Sequence, residues 1–133
     1  MNVEQNQTQR AVNGSISILI ALSMAHLFND MLQSIISASY PLLKEDLKIS
    51  FSQIGLITMV YQISSSVFQP VVGLIFDRWP FSKSIPLANS FTLIGLLLLS
   101  FSNSIPMILV SVFLVGVGSA TIHPEASRIT SLA

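Results

Sequence analysis

The sequence predicts an all-α integral membrane protein with four transmembrane helices, each antiparallel to its neighbour in sequence. Three observations predict it. Of the 133 residues, 51% are hydrophobic and only 9% charged, against about 25% charged in ordinary soluble domains. The chain is therefore too poor in charge to coat a water-soluble surface. The apolar residues gather into four stretches, each near the ~20 residues that cross a bilayer. The segments between them are short and hold most of the charged residues.

Residues 1–14 are polar, rich in Gln and Asn, with a single basic residue, Arg10; they read as a disordered cytoplasmic tail. The transmembrane region is then 15–133. Helix 1 is expected over about 15–40, with Pro41 as its stop. A cleaved signal peptide is disfavoured. The apolar run before the small residues Ser37, Ala38 and Ser39 is too long, and Asp30 sits just upstream of them. The linker 42–50 carries Lys44, Glu45, Asp46 and Lys48. Helix 2 is expected over about 51–76, followed by a tight polar loop, 77–83, containing Pro80. Helix 3 is expected over about 84–101, with Pro86 in the first turn, where a missing N–H costs nothing. Ser102, Asn103 and Ser104 make a turn, and Pro106 opens helix 4, about 106–130. Arg10, Arg78, Lys83 and Arg128 fall on one side of the membrane and Lys44 and Lys48 on the other. By the positive-inside rule this places the N-terminus in the cytoplasm, in a multi-pass protein of the cell's inner membrane.

Several function classes fall away. The net charge is zero, so nothing draws the chain to nucleic acid. The absence of cysteine removes disulfides, thiolate metal sites and cysteine nucleophiles. The two histidines lack a helical His-x-x-x-His spacing, so no metal site is expected. No cofactor is expected either, and no enzyme constellation stands out.

The helix faces carry the functional signal. At 100° per residue, His26, Asn29, Asp30, Gln33, Ser37 and Tyr40 fall within about 100° on helix 1. Thr58, Gln62, Ser65, Ser66, Gln69 and Gly73 do the same on helix 2. Helix 3 has no comparable stripe, and its Leu96–Leu99 run looks lipid-facing. Gly116, Gly118 and Ala120 let another helix approach helix 4 closely. A carboxylate at mid-bilayer costs about 2.5–3.5 kcal/mol on insertion scales and marks ion or proton pathways. Asp30 is thus the leading candidate for proton coupling. His26, one turn away, joins it, because histidine ordinarily changes charge near neutral pH. A purely structural hydrogen-bond cluster between helices is the competing reading. Asn29, Gln33, Tyr61 and Gln62 suit a cavity that holds a polar solute, or else helix–helix adhesion worth about 0.6 kcal/mol per bond.

Two motifs sharpen this. Gly73-Leu74-Ile75-Phe76-Asp77-Arg78 places a glycine and an aspartate on one face at the end of helix 2. In that position it resembles the loop signature of the major facilitator superfamily, with Gly73, Asp77 and Arg78 matching. Pro80 and Phe81 stand where a glycine and a base are usual, and Lys83 supplies the remaining base. The second motif is the helix-4 run Gly116-Val117-Gly118 through His123-Pro124-Glu125-Ala126-Ser127-Arg128. Pro124 should bend that helix, and Glu125 and Arg128 can pair at i, i+3. Together with Ala25-His26-Leu27-Phe28-Asn29-Asp30, this run is similar to the fosmidomycin resistance branch of the superfamily.

The resemblance implies a fold and a role. The four helices would be the first third of a twelve-helix transporter, an incomplete N-terminal half whose partners are its missing C-terminal helices and the lipid bilayer. The function implied is proton-coupled efflux of a small drug such as an anionic phosphonate. Gly73, Asp77, Arg78, Glu125 and Arg128 would form the cytoplasmic gate. Many drug–proton antiporters of the superfamily place an arginine in helix 4 four residues before the first glycine. Here that position is Val112, so a mechanism built on that arginine does not transfer. Two alternatives remain open at this point: a complete four-helix small multidrug antiporter working as a dimer, and a membrane enzyme or structural subunit using His123 and Glu125.

Overall fold

A computed structural model describes the backbone of residues 2–79 and 83–132, and the side chains of residues 12–79, 83–128 and 130. Among the described residues all regular structure is helical: α1 (Asn2–Leu47), α2 (Phe51–Arg78), α3 (Ser84–Ser100) and α4 (Ile105–Leu132). Three spans are long and apolar enough to cross a membrane, Val12–Leu47, Phe51–Arg78 and Ile105–Arg128; α3 is a shorter apolar helix. The Pro80 and Phe81 positions of the loop motif lie outside the described residues.

The first helix departs most from expectation. Its backbone is helical from Asn2, where a disordered tail over 1–14 was expected. Glu4, Gln5, Gln7, Gln9, Arg10 and Ala11 are all good helix formers. Extending an existing helix avoids the cost of a new nucleus, so the apolar segment behind them recruits the polar one. Nor does Pro41 stop α1, which runs on to Leu47. A proline inside a helix removes one hydrogen bond and crowds the previous turn, but here it sits on an exposed face. The real stop is Lys48, at φ 51°, a left-handed conformation that cannot continue the helix.

The linker is therefore only residues 48–50, and it ends in a cap. Ser50 Oγ accepts from Gln53 N at 3.2 Å, and Ser50 N donates to Gln53 Oε1 at 2.7 Å. This capping box satisfies two orphan donors at the start of α2 and is worth about 1 kcal/mol.

Packing places α4 at the centre. It contacts both α2 and α3 extensively, and α1 more lightly. The small residues of α4 explain this. Gly116 and Gly118 are about 200° apart around the helix, so they open opposite sides. A Cβ on Gly116 would lie 2.8 Å from Ser64 Cβ of α2, and one on Gly118 would lie 2.6 Å from Ala88 O of α3. In consequence α2 and α3, consecutive in sequence, are separated by α4 and are not the packed neighbours that short loops suggested. The pairs Gly116–Ser64 and Gly73–Pro124 run in the same chain direction, so α2 and α4 are parallel. The links between α3 and α4, Thr92 with Gly118 and Ser102 with Ser111, run in opposite directions.

Helix α3 does have an inward stripe: Ser84, Ala88, Thr92, Gly95 and Leu99 are buried. Leu99 thus corrects the reading of Leu96–Leu99 as wholly outward, while Leu93, Ile94 and Leu97 do face out. Several buried hydroxyls are satisfied within their own helices, as in Ser64 to Tyr61 O (2.9 Å), Thr92 to Ala88 O (3.3 Å) and Ser111 to Met107 O (2.7 Å). In hydrocarbon, this is how polar side chains serve close packing without an unmet group. The apolar core joins Ile36, Ile57, Ile108, Val112 and Val115. The outward faces, with Ile20, Phe28, Met31, Val67 and Leu93 exposed, suit lipid rather than water.

Gly118→Ala should lower stability by about 1–3 kcal/mol, because the new methyl meets the backbone of α3 and cannot be accommodated by a side-chain rotation. Gly55→Ala, with nothing within 4 Å of its Cβ position, should be neutral. Thermal unfolding of both variants in detergent tests this; equal stabilities would contradict the close approach.

Candidate functional site

The residues singled out on α1 do not all point the same way. Leu22, Asn29 and Ile36 form its buried line, spaced seven residues apart as in a helix seam. Asn29 is fully buried, His26, Gln33 and Tyr40 are half-buried, and Asp30 and Ser37 are exposed. The polar stripe therefore lies across the edge of the packed face, with Asp30 on its open side. On α2 the buried line passes through Ile57, Ser64 and Ser65. This turns Gln62 outward, which removes it from the cavity wall expected of it. The exposed Gln62 backbone carbonyl accepts from Ser65 and Ser66.

Around Asn29 a polar seam crosses three helices. The Tyr61 hydroxyl of α2 donates to Gln33 Oε1 of α1, and Ser119 of α4 lies beside the same phenol. Tyr40 and Thr58 share a hydroxyl contact of 2.8 Å near the α1–α2 linker. Three buried polar atoms in this seam have no hydrogen-bond partner: Asn29 Nδ2, Asn29 Oδ1 and Gln33 Nε2. An unpaired buried polar group costs about 1–3 kcal/mol. Among the described residues no buried hydroxyl is left this way, so these amide atoms mark a place suited to something polar.

Beside the seam, an open groove of about 830 Å³ runs between α1 and α4, lined by Ser23, His26, Asp30, His123, Ser127 and Thr130 among others. The His26 and His123 rings are 4.6 Å apart between centroids, tilted by 59°. His26 and Asp30, predicted as a pair, share this groove. His123 joins them, a role that sequence reasoning missed. Its signal was available: Ser119 and His123 are four residues apart and so share one face of α4.

Four of the five residues expected to form a gate, Gly73, Asp77, Glu125 and Arg128, come together at the end of the bundle where α2 finishes. A cleft of about 370 Å³ is lined by Gly73, Phe76, Asp77, Pro124, Glu125, Ser127 and Arg128. Glu125 is 2% exposed. Arg128 grips it with both arms, Nη2 to Oε1 at 2.6 Å and Nε to Oε2 at 3.0 Å, the paired geometry that makes arginine–carboxylate contacts strong. Ser84 of α3 also faces this carboxylate, and Asp77 of α2 acts electrostatically on Arg128. Three helices thus meet on one charge cluster. A Cβ on Gly73 would sit 3.4 Å from Pro124 Cβ, so α2 and α4 pass closely just before it. Arg78 stands apart from the cleft, exposed, with its guanidinium 5.6 Å from the Trp79 ring centroid. The basic member of the cluster is therefore Arg128. Among the described residues no group of three His, Asp or Glu side chains forms a metal-holding cluster.

Arg128→Ala should lower the unfolding midpoint in detergent markedly, because it strands a buried carboxylate. Adding Glu125→Gln should recover part of the loss. A double variant less stable than the single one would contradict this reading of the cluster.

Comparison with known proteins places the chain. The sequence profile of the Major Facilitator Superfamily matches residues 22–133. The chain is 47% identical over 119 residues to the fosmidomycin resistance protein of Escherichia coli (strain K12), covering 90% of this chain and 29% of that protein. It is 40% identical over 116 residues to an uncharacterized MFS-type transporter, YfnC, of Bacillus subtilis (strain 168), covering 87% of this chain and 28% of that protein. No solved structure matches. The chain therefore spans less than a third of the length of these relatives, and its four apolar helices belong to an integral membrane protein of the major facilitator superfamily.

Proposed function

We propose that the chain acts within a secondary transporter that exports a small polar drug in exchange for protons. The observation that carries the reading is three buried carboxamide atoms without partners, Asn29 Nδ2, Asn29 Oδ1 and Gln33 Nε2, beside Tyr61 and Ser119. They offer both donors and an acceptor to a solute that binds by hydrogen bonds. The similarity to a fosmidomycin resistance protein supports a phosphonate such as fosmidomycin, whose oxygens suit amide and phenol donors. Asp30 and His26 open onto the adjoining groove and supply the proton-binding groups. Gly73, Asp77, Glu125 and Arg128 act as the gate, with Arg78 outside the cluster at its rim. Four of the six basic residues favour placing this end in the cytoplasm, in the inner membrane, with the N-terminus on the same side. Alternating access then turns on making and breaking the contacts of this end, exposing the seam to each side in turn.

Transport of fosmidomycin into everted membrane vesicles, from cells expressing the protein in its native reading frame, tests this. Asn29→Leu should raise stability by about 1–3 kcal/mol, because it removes an unmet buried group, and should reduce uptake. Such a trade between stability and activity is the mark of a binding group. Asp30→Asn should abolish uptake driven by a pH gradient without lowering the amount of protein in the membrane. Undiminished uptake in both variants would overturn the reading.

A further inference from the structure

The two histidines of the chain stand on different helices and face each other. They belong to a lightly held helix pair: along the described part of α1 only Leu22, Asn29 and Ile36 are buried, and its contact with α4 is much thinner than those of α2 or α3. At this thin junction His26 and His123 lie ring against ring at 4.6 Å. Asp30 lines the same groove and acts electrostatically on His123. The other titratable and charged groups near it are few. From α2, Tyr61 lies near Asp30, and Asp77 lines a neighbouring cleft with His123. On α4, Glu125 is engaged by Arg128. Among the described residues, none that lines the groove comes from α3.

We propose that His123 completes the proton site, so that His26, His123 and Asp30 form one titrating unit that bridges α1 and α4 and holds a single exchangeable proton. The charge balance supports one proton rather than two. The Asp30 carboxylate, in the same groove, balances the charge of one imidazolium. A second would lie against the first at van der Waals distance, a like-charge contact that disfavours it. The chemistry is an N–H bond formed on an imidazole with a proton taken from water on one side, and the same bond broken on release to water on the other. No other bond changes and no electrons are transferred. Because the rings sit on opposite helices, gain and loss of the proton alters the attraction between α1 and α4 directly. A proton bound at a lone side chain on α1 would not do this. His123 is thus a positioning and proton-sharing residue for the antiport proposed above, and its role rests on that reading. Its existence as part of a coupled unit does not.

The test is a histidine titration by nitrogen-15 NMR on the protein in lipid nanodiscs, with the imidazole signals of His26 and His123 assigned from the two single substitutions. In the unsubstituted protein the rings should titrate in two steps separated by about one pH unit or more, as interacting sites do. His26→Gln and His123→Gln should each leave one simple step, displaced from both of those in the parent. Asp30→Asn should move the first step to lower pH, since the charge that favours the imidazolium is gone. Two independent titrations, each unchanged when the other ring is removed, would overturn the proposal. If the titrations are coupled but fosmidomycin is not transported, the transporter reading fails and the coupled unit stands. If transport is intact and the rings are uncoupled, the reverse holds.

Discussion

Everything in this structure depends on one helix being thin on two sides. In hydrocarbon there is no hydrophobic drive to bring helices together, since lipid tails are as apolar as leucine; association rests on close van der Waals contact. Helix α4 achieves that contact twice, with Gly116 against Ser64 of α2 and Gly118 against Ala88 and Thr92 of α3. Glycines two apart in sequence open opposite faces, so the helix carrying them becomes the middle of a three-helix layer. Ser64, Thr92 and Ser111 make the packing partners small, and each returns its hydroxyl to its own helix. The contact therefore leaves no polar group unmet in the bilayer.

Once α4 is central, the polar residues fall into place around it. One end of α4 brings Glu125 and Arg128 to the finish of α2 and the start of α3, where Asp77 and Ser84 meet them. The flank left open by α2 and α3 is covered only in part by α1. There the chain collects what a tightly packed bundle would exclude: two facing imidazoles, a carboxylate at the groove edge and two carboxamides with unmet bonding capacity. The tight interfaces hold locally satisfied hydroxyls and the loose one holds amide atoms without partners, which is why the proposed ligand site is put at the second. The loose interface is also the one that has to change if the helices rock.

Much of this was legible in the sequence. The four apolar stretches, the interrupting loops and the Gly116–Gly118–Ala120 series all follow from composition and periodicity. So does the Glu125–Arg128 pair, whose spacing alone brings the side chains together. Other features could not be read locally. The buried line of α2 is set by Ile57 and Ser64 packing on α4, which turns Gln62 outward although its polar stripe looks internal. The same tertiary choice puts Asp30 at the groove rim and Asn29 in the interior, although the two are adjacent in sequence. The α3 stripe Ser84, Ala88, Thr92, Gly95 was readable as small residues at helical spacing, but its polar members masked it as merely mixed. Pro41 misled because a proline's cost is bounded and the flanking helix was strong enough to carry it. The contact of His26 with His123 joins residues 97 positions apart, and nothing short of the packed helices reveals it.

The central position of α4 is open to direct measurement, since these 133 residues hold no cysteine of their own to compete. Paired cysteines should form disulfides across α2–α4 with Gly73→Cys and Pro124→Cys, whose Cβ positions lie 3.4 Å apart, about the spacing a disulfide needs. They should also form across α3–α4 with Ser102→Cys and Ser111→Cys, whose hydroxyls are 3.4 Å apart. A pair spanning α2 and α3, Ser64→Cys with Thr92→Cys, should not cross-link, because α4 lies between them. Efficient cross-linking of the α2–α3 pair, with failure of the two pairs to α4, would contradict the architecture on which the site is built.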